Sequence, residues 1–144
     1  MGYWYVDSSA ALKLLVDEAE SSALRDFLAT SRWVLSDLHR TELRRAVGRA
    51  MGRAPGQVAG AATASPLLRL EALLDAVDLL VVDAEVFERA GHLAPAELRS
   101  LDALHLAVAM GLGEDLEGLV AYDHRLLAVA RELGLEVVSP GASA

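Results

Sequence analysis

The chain has 144 residues, no cysteine, 53% apolar residues, and 13 basic against 21 acidic side chains, for a formal charge of −8. Residues 1–144 are long enough to form one domain whose core needs no disulfide or zinc, and thiolate chemistry is excluded. The acidic balance, taken alone, argues against a nucleic-acid partner, because phosphate-binding surfaces are usually basic.

In chain order, the pattern predicts a strand over Tyr3–Val6, helices over Ala10–Val16 and Ser22–Ala29, and a strand over Trp33–Ser36. A helix over Leu38–Met51 follows. Gly52–Pro66, rich in Gly and Ala, reads as a loose loop or a frayed helix pair. Beyond it come a helix over Leu67–Ala76, a strand over Leu79–Val82 and a helix over Glu85–Leu93. The chain closes with a helix over Leu101–Leu112, a strand over Leu119–Tyr122, a helix over Arg125–Leu133 and a strand over Glu136–Val138. Strands alternating with helices predict the α/β class: a parallel sheet of four to five strands flanked by helices on both faces. The longest stretch without a charge is broken by Pro, Gly and polar residues, and Met1–Val6 lacks the basic start of a signal peptide. No membrane span is expected, and a cytoplasmic protein is.

Ligands of open α/β sheets bind at the carboxyl ends of the strands. Asp7, Asp37, Asp83 and Asp123 each follow a predicted strand, and each equally precedes a helix that an Asp would cap. Glu42 lies on the border between the apolar face of its helix and an arginine face, where Arg45 and Arg49 stand within about 60° of it. It can serve a site or form an ordinary surface pair with Arg45. Asp102 stands near the start of the segment Leu101–Leu112, LDALHLAVAMGL, apolar on nearly every side, so its carboxylate must be capped, paired or metal-bound. Ser100 is a candidate cap for that helix, and the helix dipole favours an acid in its first turn. His105, three residues on, reads as a core histidine with one satisfied hydrogen bond. His39, His92 and His124 show no zinc-binding spacing.

Phosphate-cradling GxxxxGK[ST] and GxGxxG loops and a GxSxG nucleophile elbow are absent. There remain carboxylates that can converge, Asp7, Glu42, Asp102 and Asp123. Clustered carboxylates repel unless a pKa rises or a divalent cation binds, and their hard oxygens suit Mg²⁺ or Mn²⁺. Such ions activate water and stabilise the leaving oxygen of a phosphodiester.

The runs Tyr5-Val6-Asp7-Ser8-Ser9-Ala10-Ala11-Leu12-Lys13-Leu14, Thr41-Glu42-Leu43-Arg44-Arg45-Ala46, Arg99-Ser100-Leu101-Asp102-Ala103-Leu104-His105-Leu106-Ala107 and Val120-Ala121-Tyr122-Asp123-His124-Arg125-Leu126 resemble the four acidic motifs of PIN-domain proteins. More narrowly, they resemble the VapC-type ribonuclease toxins of bacterial toxin–antitoxin pairs. The match runs in order from the first strand to the last. The resemblance implies a Mg²⁺- or Mn²⁺-dependent endoribonuclease, normally a homodimer, silenced by a small VapB-type antitoxin whose tail covers the acidic site. It implies Asp7, Glu42, Asp102 and Asp123 as the metal-binding, catalytic carboxylates, and leaves Asp37 and Asp83 as helix caps. One departure is Ala121, where many relatives carry Ser or Thr; Ser9 could supply a hydroxyl instead. Two other readings stay open at this point. One is a fold of this kind that binds partners without turnover, and the other a metal-independent ribonuclease using His39, His105 or His124 as acid and base. Arg40, Arg44, Arg45, Arg49 and Arg53 fit an RNA path, a protein contact or a solvated face. The net charge thus averages an acidic site with a basic flank, and the objection to RNA lapses.

Overall fold

The computed structural model describes residues 2–52 and 61–143. The strands are β1 (Tyr3–Val6), β2 (Trp33–Ser36), β3 (Leu79–Leu80), β4 (Leu116–Val120) and β5 (Val137–Val138). The helices are α1 (Ser8–Leu12), α2 (Ser21–Ala29), α3 (Leu38–Ala50), α4 (Ala61–Ala76), α5 (Ala84–Gly91), α6 (Ser100–Met110) and α7 (His124–Glu132), with a 3₁₀ turn at Gly113–Asp115 before β4. All pairings are parallel, in the order β3-β2-β1-β4-β5. The expected α/β sheet with helices on both faces is therefore what the chain forms.

Strand alternation sorts the core. Tyr5, Val34 and Leu119 point to the face covered by α5, α6 and α7, whereas Val6, Leu35 and Val120 point to the face covered by α1 to α4. The chain runs outward from β1 through β2 to β3, then returns to place β4 and β5 on the other side. The carboxyl ends of β1 and β4 thus form the crevice where the winding reverses.

Several boundaries differ from those read in the sequence. The first helix ends at Leu12, because Lys13, Leu14 and Leu15 bond back three residues instead of four. That tightening drops Lys13 to a buried position where Glu18 and Glu20 pair with its Nζ at 2.8 and 3.0 Å. β3 stops at Leu80 because β2, its partner, turns into α3 after Ser36; Val81 stands exposed. β4 begins at Leu116, earlier than expected, through a register shift opposite Tyr3 and Trp4. From Ala61 the Gly/Ala-rich stretch is helical and joins α4 with Pro66 inside it, so of the two expectations the loop does not hold there and helix does; 53–60, including Arg53, lie outside the described residues. Among the described residues, no helix is long and apolar enough to cross a membrane.

Candidate active site

Asp7 leaves β1 and caps α1, its Oδ1 accepting from the Ala10 N–H at 2.9 Å. Ser9 Oγ donates across both Asp7 oxygens at 2.7 and 2.9 Å, and itself accepts from the Tyr122 N–H at 3.0 Å. One hydroxyl therefore joins the first strand's acid to the end of β4. The carboxyl is 4% exposed, and burial pushes it up to about 6, against the partial opposition of the Ala10 and Ser9 hydrogen bonds.

Asp123 caps α7, accepting from the N–H groups of Arg125 and Leu126 at 2.9 and 3.1 Å. Its other oxygen faces Arg99, whose guanidinium is 3.4 Å from Asp123 Oδ2 and 3.3 Å from Asp102 Oδ2. Asp102 stands in the first turn of α6. Glu42, one turn into α3, hydrogen-bonds through Oε1 to His105 Nε2. Burial would raise the Glu42 carboxyl, but the hydrogen bond and charge of His105 outweigh it and hold it below the usual range.

Asp7, Glu42, Asp102 and Asp123 line one open cavity of about 430 Å³, with Ser8, Ser9, Arg99 and His105. Its position is the crevice at the ends of β1 and β4. A larger hollow of about 540 Å³ between α5 and the start of α6 carries none of these carboxylates. The smaller one is the candidate site, because acidic groups converge there from four separate elements.

The donor set can be tested against the cation that it implies. Four carboxylates offer hard oxygens of the type that Mg²⁺ and Mn²⁺ take, and Asp7 carries a buried charge that a cation would compensate. Among the described residues no three acids or histidines stand together closely enough to hold an ion as they are. The Arg99 guanidinium bridges Asp102 and Asp123, at 3.3 and 3.4 Å, and His105 holds one oxygen of Glu42. The chemistry of the set fits a divalent cation, with Arg99 as the charge it would displace.

Comparison with known proteins decides the family. A family model described as PIN domain matches residues 4–139. Ribonuclease VapC46 of Mycobacterium tuberculosis is 44% identical over 94% of this chain and 96% of its own. Ribonuclease VapC47 of the same species is 41% identical over 96% and 97%. The chain belongs to the VapC ribonucleases of the PIN-domain family. The crystal structure of M. tuberculosis VapC20, a toxin that cleaves the sarcin–ricin loop, superposes with a TM-score of 0.69 at 19% identity, over 94% of this chain and 98% of that one. At that identity the likeness speaks for the PIN fold.

In this VapC-family chain the helix caps and ion pairs depart in part from what local spacing predicts. Asp83 caps α5 as expected, through the Val86 N–H at 3.1 Å. Asp37 makes no capping bond and pairs with Arg40 at 3.0 Å. The cap position of α6 falls on Arg99, without a side-chain bond, and Ser100 is already helical. Glu42 meets His105, from 63 positions away, and not Arg45. His105 is therefore no ordinary core histidine: it lines the cavity, and its ring contacts Tyr5, Ser8 and Glu42. The sequence signal that could have found it is its place three residues after Asp102, on the same helix face.

Proposed function

We propose that this VapC-family chain is a Mg²⁺- or Mn²⁺-dependent endoribonuclease toxin that hydrolyses RNA phosphodiesters with water, using Asp7, Glu42, Asp102 and Asp123. The observation that supports the reading most is the convergence of those four carboxylates on one cavity from β1, α3, α6 and the end of β4. A divalent cation bound there would polarise water and offset charge on the phosphate. Asp7 and Asp123 are held in place by the helix ends they cap, each through Oδ1, while Ser9 spans both Asp7 oxygens and Arg99 faces Oδ2 of Asp123. Ser9 holds the Asp7 carboxylate, a hydroxyl in place of the one that Ala121 lacks. Ala121 is fully buried in the core and does not line the cavity.

RNA would approach along α3. Arg40 is paired with Asp37 and Arg44 with Glu71, both at 3.0 Å, whereas Arg45 and Arg49 have no ion pair among the described residues. The last two line a shallow groove with Ser8, Glu42 and Leu101 that opens beside the acidic cavity. Guanidiniums in that place hold strand phosphates that flank the scissile bond. The reading includes one nuclease domain, a homodimer, a VapB-type antitoxin as inhibitor, and the cytoplasm, where RNA is met.

A histidine-based mechanism finds less support. His39 is fully buried with both ring nitrogens bonded to backbone, and His124 begins α7 outside the cavity lining, so among the described residues no second histidine faces His105 across the substrate space. The test is cleavage of RNA by the purified protein. With Mg²⁺ or Mn²⁺ it cuts, and in excess EDTA, or as Asp102→Asn, it loses at least about 100-fold in rate. Full activity under either condition would overturn the reading.

A further inference from the structure

His105 and Tyr5 belong to a buried chain of polar side chains that the proposed reaction does not use. His105 Nδ1 is 2.6 Å from the Tyr5 hydroxyl, and that hydroxyl is 2.9 Å from Ser36 Oγ. Ser36 Oγ in turn accepts from the Leu38 N–H at 3.3 Å. His39 closes the far end: its Nδ1 accepts from the Ser36 N–H at 3.0 Å, and its Nε2–H donates to the Val6 carbonyl at 2.8 Å. Tyr5, Ser36, His39 and His105 are each at most 2% exposed.

The direction of each bond follows from counting hydrogens. Glu42 is an ionised carboxylate, an acceptor, so His105 Nε2 must carry a hydrogen toward it. A neutral ring then presents Nδ1 as an acceptor, and the Tyr5 O–H is the donor placed to meet it. Tyr5 has spent its one hydrogen on that bond, so Ser36 O–H donates to the phenol oxygen. Every bond from Ser36 through Tyr5 and His105 to Glu42 therefore runs one way. If the ring is cationic, Tyr5 turns to donate to Ser36, and Nε2–H still faces Glu42.

We infer that His105 is a positioning residue for Glu42, and that Tyr5 and Ser36 hold its ring so that one Glu42 oxygen is committed to Nε2–H and the other is aimed at the acidic cavity. The inference rests on the cation-site reading above. It makes Glu42 a ligand pre-oriented from the core, with Ser8, whose Oγ is 3.3 Å from His105 Nε2 and whose hydroxyl also helps hold the Glu42 carboxyl low, standing beside the pair. Loose glutamates lose side-chain entropy on ligation, and outer partners of metal ligands change affinity by 10–100-fold when removed.

The test has two arms on the folded, full-length protein. In the first, Mn²⁺ is titrated calorimetrically into wild type, His105→Phe, His105→Gln and Tyr5→Phe. His105→Phe is expected to bind Mn²⁺ about 10-fold or more weakly, His105→Gln, whose amide can still donate, to recover most of it, and Tyr5→Phe to fall between. Wild-type affinity in both His105→Phe and Tyr5→Phe would overturn the inference, as would equal losses in His105→Phe and His105→Gln. In the second, nitrogen-15 NMR of the metal-free protein reads the His105 ring directly. A hydrogen on Nε2, slow to exchange with water and perturbed by Glu42→Gln, is expected; a ring with its hydrogen on Nδ1 alone would overturn the tether. If wild type takes up no Mn²⁺, the cation-site reading fails, while the NMR arm still decides whether His105 holds Glu42.

Discussion

Burial pushes the Asp7 carboxyl up to about 6, so at neutral pH the metal-free fold holds a negative charge that water would solvate better. A carboxyl raised in the folded state stabilises the fold below its unfolded pKa, and that contribution is lost as pH rises through about 6. Asp7→Asn keeps the cap acceptor and removes the charge. The metal-free Asp7→Asn variant is therefore expected to be more stable than wild type at pH 8, by about 1–3 kcal/mol or several degrees in melting temperature; a lower melting temperature would contradict this. His39 works in the opposite sense. Burial pushes it down to about 4, so its neutral form supports the fold above its unfolded pKa and that support is lost as pH falls toward 4. The two gradients oppose each other between pH 4 and 6, and the difference between Asp7→Asn and wild type isolates the first. Mn²⁺ is expected to raise the melting temperature of wild type and leave Asp7→Asn unmoved.

Elements place these groups by their ends. β4 and β5 can approach because Gly118 carries no side chain: a Cβ there would come 2.5 Å from the Glu136 carbonyl oxygen and 2.6 Å from the Trp4 ring. Gly118→Ala must push β5 or Trp4 away, and is expected to destabilise by about 2 kcal/mol or more in urea unfolding; an unchanged midpoint would refute that packing. Much at this scale was legible in advance. Asp7, Asp83 and Asp123 follow strands and cap helices, and the alternation of strands and helices along the chain follows from period and turn chemistry, whereas the order of strands in the sheet does not. The tether between Glu42 and His105 was not legible, because local spacing pairs Glu42 with Arg45, one turn away on α3. The histidine instead comes from α6, carried across the sheet by packing on β4 and α5. For the same reason Ser9 was foreseen as a possible hydroxyl near Asp7, two residues away, but its bond from Tyr122, 113 positions on, was not.

Across the whole molecule, charge is divided by location and not spread evenly. A net −8 conceals four acids gathered at one crevice and, beside them, Arg45 and Arg49 without ion pairs among the described residues. If these two hold RNA phosphates, Arg45→Gln combined with Arg49→Gln raises KM with little change in kcat. The slope of log K for RNA against log salt then falls by about 1.4, at roughly 0.7 for each single-strand phosphate contact. An unchanged slope would assign the two arginines to a protein surface. If the crevice is a nuclease site as proposed, its carboxylates hold a divalent cation. Isothermal titration of Mn²⁺ into the metal-free protein tests it most directly: saturable binding in wild type, weakened by about 10-fold or more in Asp102→Asn, is the predicted result. No binding to wild type, or equal binding to both, would contradict it.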